Sequence, residues 1–115
     1  MLSAISSALS GIRAFIKKTQ VTSNNLSNVL TDDFKKSRVT MQEGKSGGVD
    51  ATIEKVNTPG YPVAPEPGIT AKESSNVDIA EEMTNLILAE KGYKANIKTI
   101  KAEDENLGTI LNMKA

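Results

Sequence analysis

The chain has 115 residues, with 14 basic and 14 acidic side chains, no histidine and no cysteine. That length makes one modest domain. The charge balance removes the general case for a nucleic acid or an anionic membrane as partner. Without cysteine there is no disulfide framework and no thiolate metal site, and the redox compartment stays undecided.

The absence of histidine removes the commonest general base and metal ligand. Two Phe, two Tyr and no Trp leave the packing to aliphatic residues, as in helix bundles and coiled coils. No apolar run approaches the roughly 20 residues of a membrane span. Nor does the N-terminus hold the apolar block, about 7–15 residues long, of a cleavable secretory signal. Departure from the cytoplasm is therefore expected to use an unprocessed route.

Leu2, Ile5, Leu9, Ile12, Ile16, Thr19, Ser23, Leu26 and Leu30 are spaced alternately three and four apart. This heptad spacing predicts a helix over 2–29, flanked by Ala8, Phe15 and Val29. Its end, "VTSNNLSNV", crowds asparagines and hydroxyl residues that are poor helix formers. "TDDFK" at 31–35 breaks the pattern. "KSRVTM" and "VDATIE" follow as two short strands, the second alternating Val49, Ala51 and Ile53 with polar residues. "GKSGG" between them suits a hairpin loop. Residues 57–68 hold all four prolines and predict an extended connection, since proline suits neither a helix interior nor a central strand.

Helical spacing returns from residue 76 in Ile79, Met83, Leu86, Glu90, Tyr93, Ile97, Ile100, Asp104, Leu107 and Leu111. Ser75 or Asn76 can cap this helix, and Asp78, Glu81 and Glu82 suit its positive end. At 1.5 Å per residue the two helices would reach about 42 and 57 Å, against roughly 30 Å for a small domain. They can pair antiparallel. The first carries Arg13, Lys17 and Lys18, while 76–115 has seven acids against five bases. Such a hairpin buries one stripe of each helix. Full burial is worth about 1.5–3 kcal/mol per apolar side chain, and ordering costs roughly 1–2 kcal/mol per backbone residue. The isolated pair should be marginal, and neighbours are needed.

The remaining motifs have plain explanations. "GKS" at 44–46 lacks the glycine that a phosphate loop needs five positions before Gly44, where Val39 stands. Glu103, Asp104 and Glu105 point in different directions on a helix and have no liganding loop. Asp32 and Asp33 suit a turn, and nothing shapes a pocket for paired catalytic carboxylates. Glu90 and Asp104 either reach water at the stripe's edge or fix register by pairing with a neighbouring lysine. The cationic first helix is a weak membrane binder, because Ser and Thr interrupt its apolar stripe.

"SNNLSNVLTDDFKKSRV" resembles the N-terminal signature of the bacterial flagellar rod and hook family, approximately Asn-Asn-Leu-Ala-Asn-Val-Asn-Thr-Pro-Gly-Tyr-Lys. Asn24, Asn25, Leu26, Asn28, Val29, Thr31 and Lys35 match it. Phe34 takes the tyrosine place, Ser27 replaces alanine and Leu30 replaces asparagine. Asp32 and Asp33 replace Pro-Gly, implying a differently shaped helix exit. A second "NTPGY" at 57–61 reads as an independent turn at the entry to the linker. Residues 75–114 are similar to the family's C-terminal signature, with Asn76, Asp78, Glu82, Met83, Asn85, Tyr93, Asn96, Asp104, Leu107, Leu111 and Asn112 among the matches.

The resemblance implies a mainly α fold. Two long terminal helices, over 1–30 and 74–115, pair as an antiparallel coiled-coil-like hairpin forming one axial domain. A small β-hairpin and a Pro-rich linker occupy 31–73. The short middle is most like that of proximal rod members. The implied role is structural, with no active site, cofactor or metal: a subunit of the basal-body rod, which spans the periplasm. It would self-assemble and transmit torque, and it would be exported uncleaved. Its partners would be itself, other rod or hook subunits and the type III export apparatus, with no nucleic acid and no membrane insertion.

Leu2, Ile5, Leu9, Ile12 and Ile16 are expected to pack against Ile79, Met83, Leu86, Ile97, Ile100, Leu107 and Leu111 of the same or adjacent copies. Tyr93 and Asn96, with Asn24, Asn25, Leu26 and Asn28, complete the assembly residues. The asparagines are expected to hydrogen-bond across subunits. The rival reading is a soluble helical chaperone or regulator of flagellar export.

Overall fold

A computed structural model describes residues 2–114. In chain order, helix α1 (Leu2–Ser27) leads to strands β1 (Ser37–Glu43) and β2 (Val49–Lys55). Two short strands follow, β3 (Pro62–Val63) and β4 (Lys72–Glu73), and helix α2 (Ile79–Lys114) closes the chain. The principal extents are 81 × 25 × 15 Å. The molecule is a rod, as two long helices with a short middle dictate.

The polar end of α1 stops at Ser27, and the chain tightens into three-residue turns. Asn28 N–H donates to the Asn25 carbonyl, and Val29 N–H to that of Leu26. α2 begins at Ile79, the first residue of its apolar spacing, but is not capped by Ser75 or Asn76. Asp78 is the cap, its Oδ1 accepting from the N–H groups of Ala80 (2.9 Å) and Glu81 (3.2 Å). Ser75 and Asn76 are engaged elsewhere. The Ser75 hydroxyl donates to the Val29 carbonyl. Asn76 accepts from Lys36 N–H at 2.7 Å and donates to the carbonyls of Val56 (2.8 Å) and Thr58 (3.0 Å). One amide thus ties the start of α2 to both ends of the β-hairpin.

The hairpin is antiparallel, in a register that pairs Ser37 with Lys55 and Glu43 with Val49. Gly47 and Gly48 turn the chain with positive φ. The hairpin lies on α1. Ser10 Oγ accepts from Val49 N–H at 2.9 Å, and Lys17 Nζ donates to the Ala51 carbonyl at 3.0 Å. Ala14 is buried beneath it.

The Pro-rich segment is more ordered than an extended linker. Pro62 pairs with Glu73, and Val63 with Lys72. Proline is barred from central strands, and in a two-stranded arm both strands are edges. The "NTPGY" turn enters this arm. A Cβ on Gly60 would stand 1.9 Å from the Ser74 carbonyl oxygen, so only glycine fits the close approach. Glu73 fastens the arm through Lys35 Nζ (2.7 Å) and Gly60 N–H (3.3 Å).

Asp33 has φ 59°, the left-handed region glycine favours. At the helix exit an aspartate therefore holds a glycine-like backbone. Asp33 also exchanges two hydrogen bonds with Glu73: its N–H donates to the Glu73 carbonyl (2.8 Å), and its Oδ1 accepts from Glu73 N–H (2.9 Å).

The helices run antiparallel. Asn96 lies over Gly11, Phe15 over Gly92, and Asn25 bonds to Glu82. At each of these contacts the two residue numbers add to 107. Leu2 therefore falls level with Glu105. The last nine residues of α2, 106–114, outrun α1 by roughly 13 Å at 1.5 Å per residue.

Candidate functional site

The contact between the helices is built from small and polar side chains. On α1, Ala8, Gly11, Thr22 and Asn25 are buried, with Phe15 half-buried among them. On α2, Glu82 and Ala89 are buried, with Gly92 and Asn96 half-buried. Each of these α1 residues stands one position before a residue of the apolar stripe read from the sequence: Leu9, Ile12, Ile16, Ser23 and Leu26. The same offset separates Glu82, Ala89, Gly92 and Asn96 from Met83, Glu90, Tyr93 and Ile97.

One residue is about 100° of helix rotation, from 3.6 residues per turn. The small residues let the backbones approach, and the large aliphatic side chains turn to one flank. Ile5, Ile12, Leu26, Leu86, Ile100 and Leu107 are half-buried there. Leu9, Ile16, Ile79, Met83, Tyr93 and Ile97 are exposed. Leu2, at 81% exposure, and Leu111, at 68%, lie toward the end where α2 runs free.

These side chains share one face of the pair. Ile16 and Thr19 of α1 line a groove of about 520 Å³ with Leu86, Ala89, Glu90 and Tyr93 of α2. The hairpin covers α1 on the other side, through Ser10, Ala14 and Lys17. The rod thus has a strapped face and an open apolar face. Surface apolar residues scattered singly need no explanation, but a continuous patch marks an interaction site.

Glu90 is the one charged group lining the groove. It reaches along its own helix to Lys94, at 2.5 Å. That hydrogen bond holds the Glu90 carboxyl below the ordinary carboxylate value. Asp104 is exposed.

The asparagines divide. Asn25, 1% exposed, is turned inward. Its Oδ1 accepts from Ser37 N–H (3.0 Å), and its Nδ2 donates to the Ser37 carbonyl (2.8 Å) and to Glu82 Oε1 (3.2 Å). It joins α1, β1 and α2 within one subunit, where bonds across subunits were expected. Asn28 Nδ2 bonds back to the Asn24 carbonyl at 2.9 Å, inside the helix end. Asn24 is exposed. Tyr93 lies on the open face, and Asn96 donates to the Gly92 carbonyl at 2.8 Å while covering Gly11. Sequence reasoning missed Gly11 and Gly92. Two glycines inside otherwise regular helical patterns were the available signal.

Among the described residues no three acidic side chains gather as a metal site, and no helix is long and apolar enough to cross a membrane. What the surface offers is a straight apolar strip on a helical rod, suited to packing against other helices.

Comparison with known proteins agrees with that class. Residues 70–113 match the family described as flagellar basal body rod FlgEFG protein C-terminal. The matched residues comprise nearly all of α2 and the segment that leads into it. Among individual relatives, the chain is 43% identical over 44 residues to the flagellar hook protein FlgE of Escherichia coli, covering 38% of this chain and 11% of that one. It is 48% identical over 42 residues to FlgE of Helicobacter pylori, covering 36% and 6%. With the flagellar basal-body rod protein FlgG of Bacillus subtilis it shares 43% over 42 residues, covering 36% and 16%. The matched part of this chain is thus a small fraction of each relative's length.

Proposed function

We propose that this protein is an axial subunit of the bacterial flagellar rod, a short one of the proximal FlgC kind, assembling through its paired terminal helices. The observation that carries the reading is the open apolar strip. A sequence that places its largest aliphatic residues on the outside of its own helix pair is built for neighbours. The likeness of α2 to rod and hook proteins supports which neighbours: copies of itself and other rod or hook subunits. In that role the subunit transmits torque by rigid helix packing and performs no chemistry. Export through the type III apparatus fits a subunit that becomes rigid only in company. The place of work is the rod, across the periplasm.

Purified basal bodies test this. The reading expects the chain in the rod fraction, and loss of that incorporation in an Ile16→Asp variant that remains helical. An undiminished rod in cells lacking the chain, with the protein retained in the cytoplasm, would favour an export chaperone instead.

A further inference from the structure

We propose that the edge of β1 is a docking site for an extended segment of another protein, which adds as a strand beside Val39 and Met41 and sets a lysine or arginine side chain against Glu82. Three observations carry it, none of them on the aliphatic strip.

The first is the edge. In an antiparallel pair, residues that exchange hydrogen bonds alternate with residues that do not. The Lys36 carbonyl accepts from Val56 N–H at 2.9 Å, and Gly44 N–H donates to the Gly48 carbonyl at 3.1 Å. In the hairpin's register the even-numbered residues of β1 therefore bond to β2. Ser37, Val39 and Met41 turn their N–H and C=O groups the other way. Asn25 takes both groups of Ser37. Those of Val39 and Met41 form an open edge, and an open edge is a template for a further strand.

The second is an orphaned acceptor. Glu82 is 2% exposed, and while its Oε1 accepts from Asn25, its Oε2 has no partner. A buried carboxylate oxygen without a donor is costly, so a donor that reaches it is bound with advantage. The third is the space between them. A cavity of about 160 Å³ has Val39 on one wall and Glu82 and Asn85 on another, with Thr22 beside them. Three cations also line it. Lys36 Nζ is held by Glu81 Oε2 at 2.7 Å, and Arg38 stands opposite Glu54 across the hairpin. Lys18 is the remaining one, and the chain's own competitor for Glu82. Side chains of an added strand alternate between faces, so one basic residue enters the cavity while its neighbours stay outside.

The probes are the peptide acetyl-Thr-Val-Lys-Val-Thr-amide and its relatives with methionine or glutamate at the centre. Each is titrated into the full chain, isotope-labelled, and the Val39 and Met41 amides are followed by NMR for shift and hydrogen exchange. The proposal expects shifts and slowed exchange at both amides, with the lysine peptide at least about tenfold tighter than the other two. N-methylation of the peptide backbone on either side of the lysine should abolish binding. Glu82→Gln should bring the lysine peptide down to the level of the methionine one, and Lys18→Met should leave it unchanged. If Glu82→Gln loses helix content, the peptide series on the unmodified chain decides. No response at Val39 and Met41, or equal binding of all three peptides, would overturn the proposal. Tighter binding to Lys18→Met would overturn it as well, by showing Lys18 already seated on Glu82.

Discussion

The Phe15 ring lies so close over Gly92 that a Cβ there would stand 2.3 Å from Cζ. That contact fixes how near the helices come and therefore which residues are left outside. Alanine is normally the better helix residue by about 1 kcal/mol. At Gly92 that gain should be outweighed by overpacking, at about 1–3 kcal/mol. Gly92→Ala is expected to lower the melting temperature of the isolated chain, and Gly108→Ala, with open space around it, to raise it. Thermal unfolding by circular dichroism checks both.

Asn25 is the polar hinge of the subunit. Asn25→Ala leaves Ser37 N–H, the Ser37 carbonyl and Glu82 Oε1 without their amide partner. Glu82 is already 2% exposed with Oε2 unbonded. A loss of about 2–4 kcal/mol is expected, from the cost of stranding buried polar groups. Asn24→Ala, on the exposed side, should change stability by no more than about 0.5 kcal/mol. Urea titration of the two variants separates a fold-stabilising asparagine from a surface one.

Asp33 combines a left-handed backbone with a side-chain bond to the arm. Asp33→Gly keeps the first and loses the second, whereas Asp33→Ala loses both. Alanine should cost about 1–2 kcal/mol more than glycine, which is the strain of that backbone region for a residue with a Cβ. The same unfolding experiment ranks them.

Glu73 gives the arm a pH dependence. The hydrogen bond from Lys35, and then that from Gly60 N–H, hold its carboxyl below the ordinary value of 4.5. A depressed pKa stabilises the folded arm above the ordinary value, and that contribution disappears as pH falls through the depressed one. Acidification below 4.5 should therefore loosen residues 60–74 before the helix pair melts. NMR titration of the Gly60 and Glu73 amides should show this, and in Glu73→Gln the arm signals should lose that pH dependence.

Much of the architecture was legible in the sequence. Threes and fours located both helices, alternation at Val49, Ala51 and Ile53 located β2, and the glycine-rich loop set the hairpin. The strip residues were found as well, because large aliphatic side chains dominate any periodic pattern. Their place was not. Ala8, Gly11 and Ala89 carry little hydrophobic weight, yet small size is what two closely approaching helices need. The pattern therefore pointed one residue away from the contact inside the subunit. The inward turn of Asn25 depends on Ser37 and Glu82, far apart in sequence. Likewise the arm depends on Asp33, Lys35 and Glu73, three residues with no local pattern. Such long-range polar bonds leave no periodic trace.

The central claim is that the aliphatic strip is a surface made for other chains. Sedimentation and thermal unfolding of the chain carrying both Ile16→Ser and Leu86→Ser test it most directly, beside the unmodified chain from dilute to concentrated solution. The account predicts similar melting of the two proteins when dilute, and self-association that rises with concentration only in the unmodified chain. A double variant that associates as before, or that is already unfolded as a dilute monomer, would show the strip to be core and contradict the account.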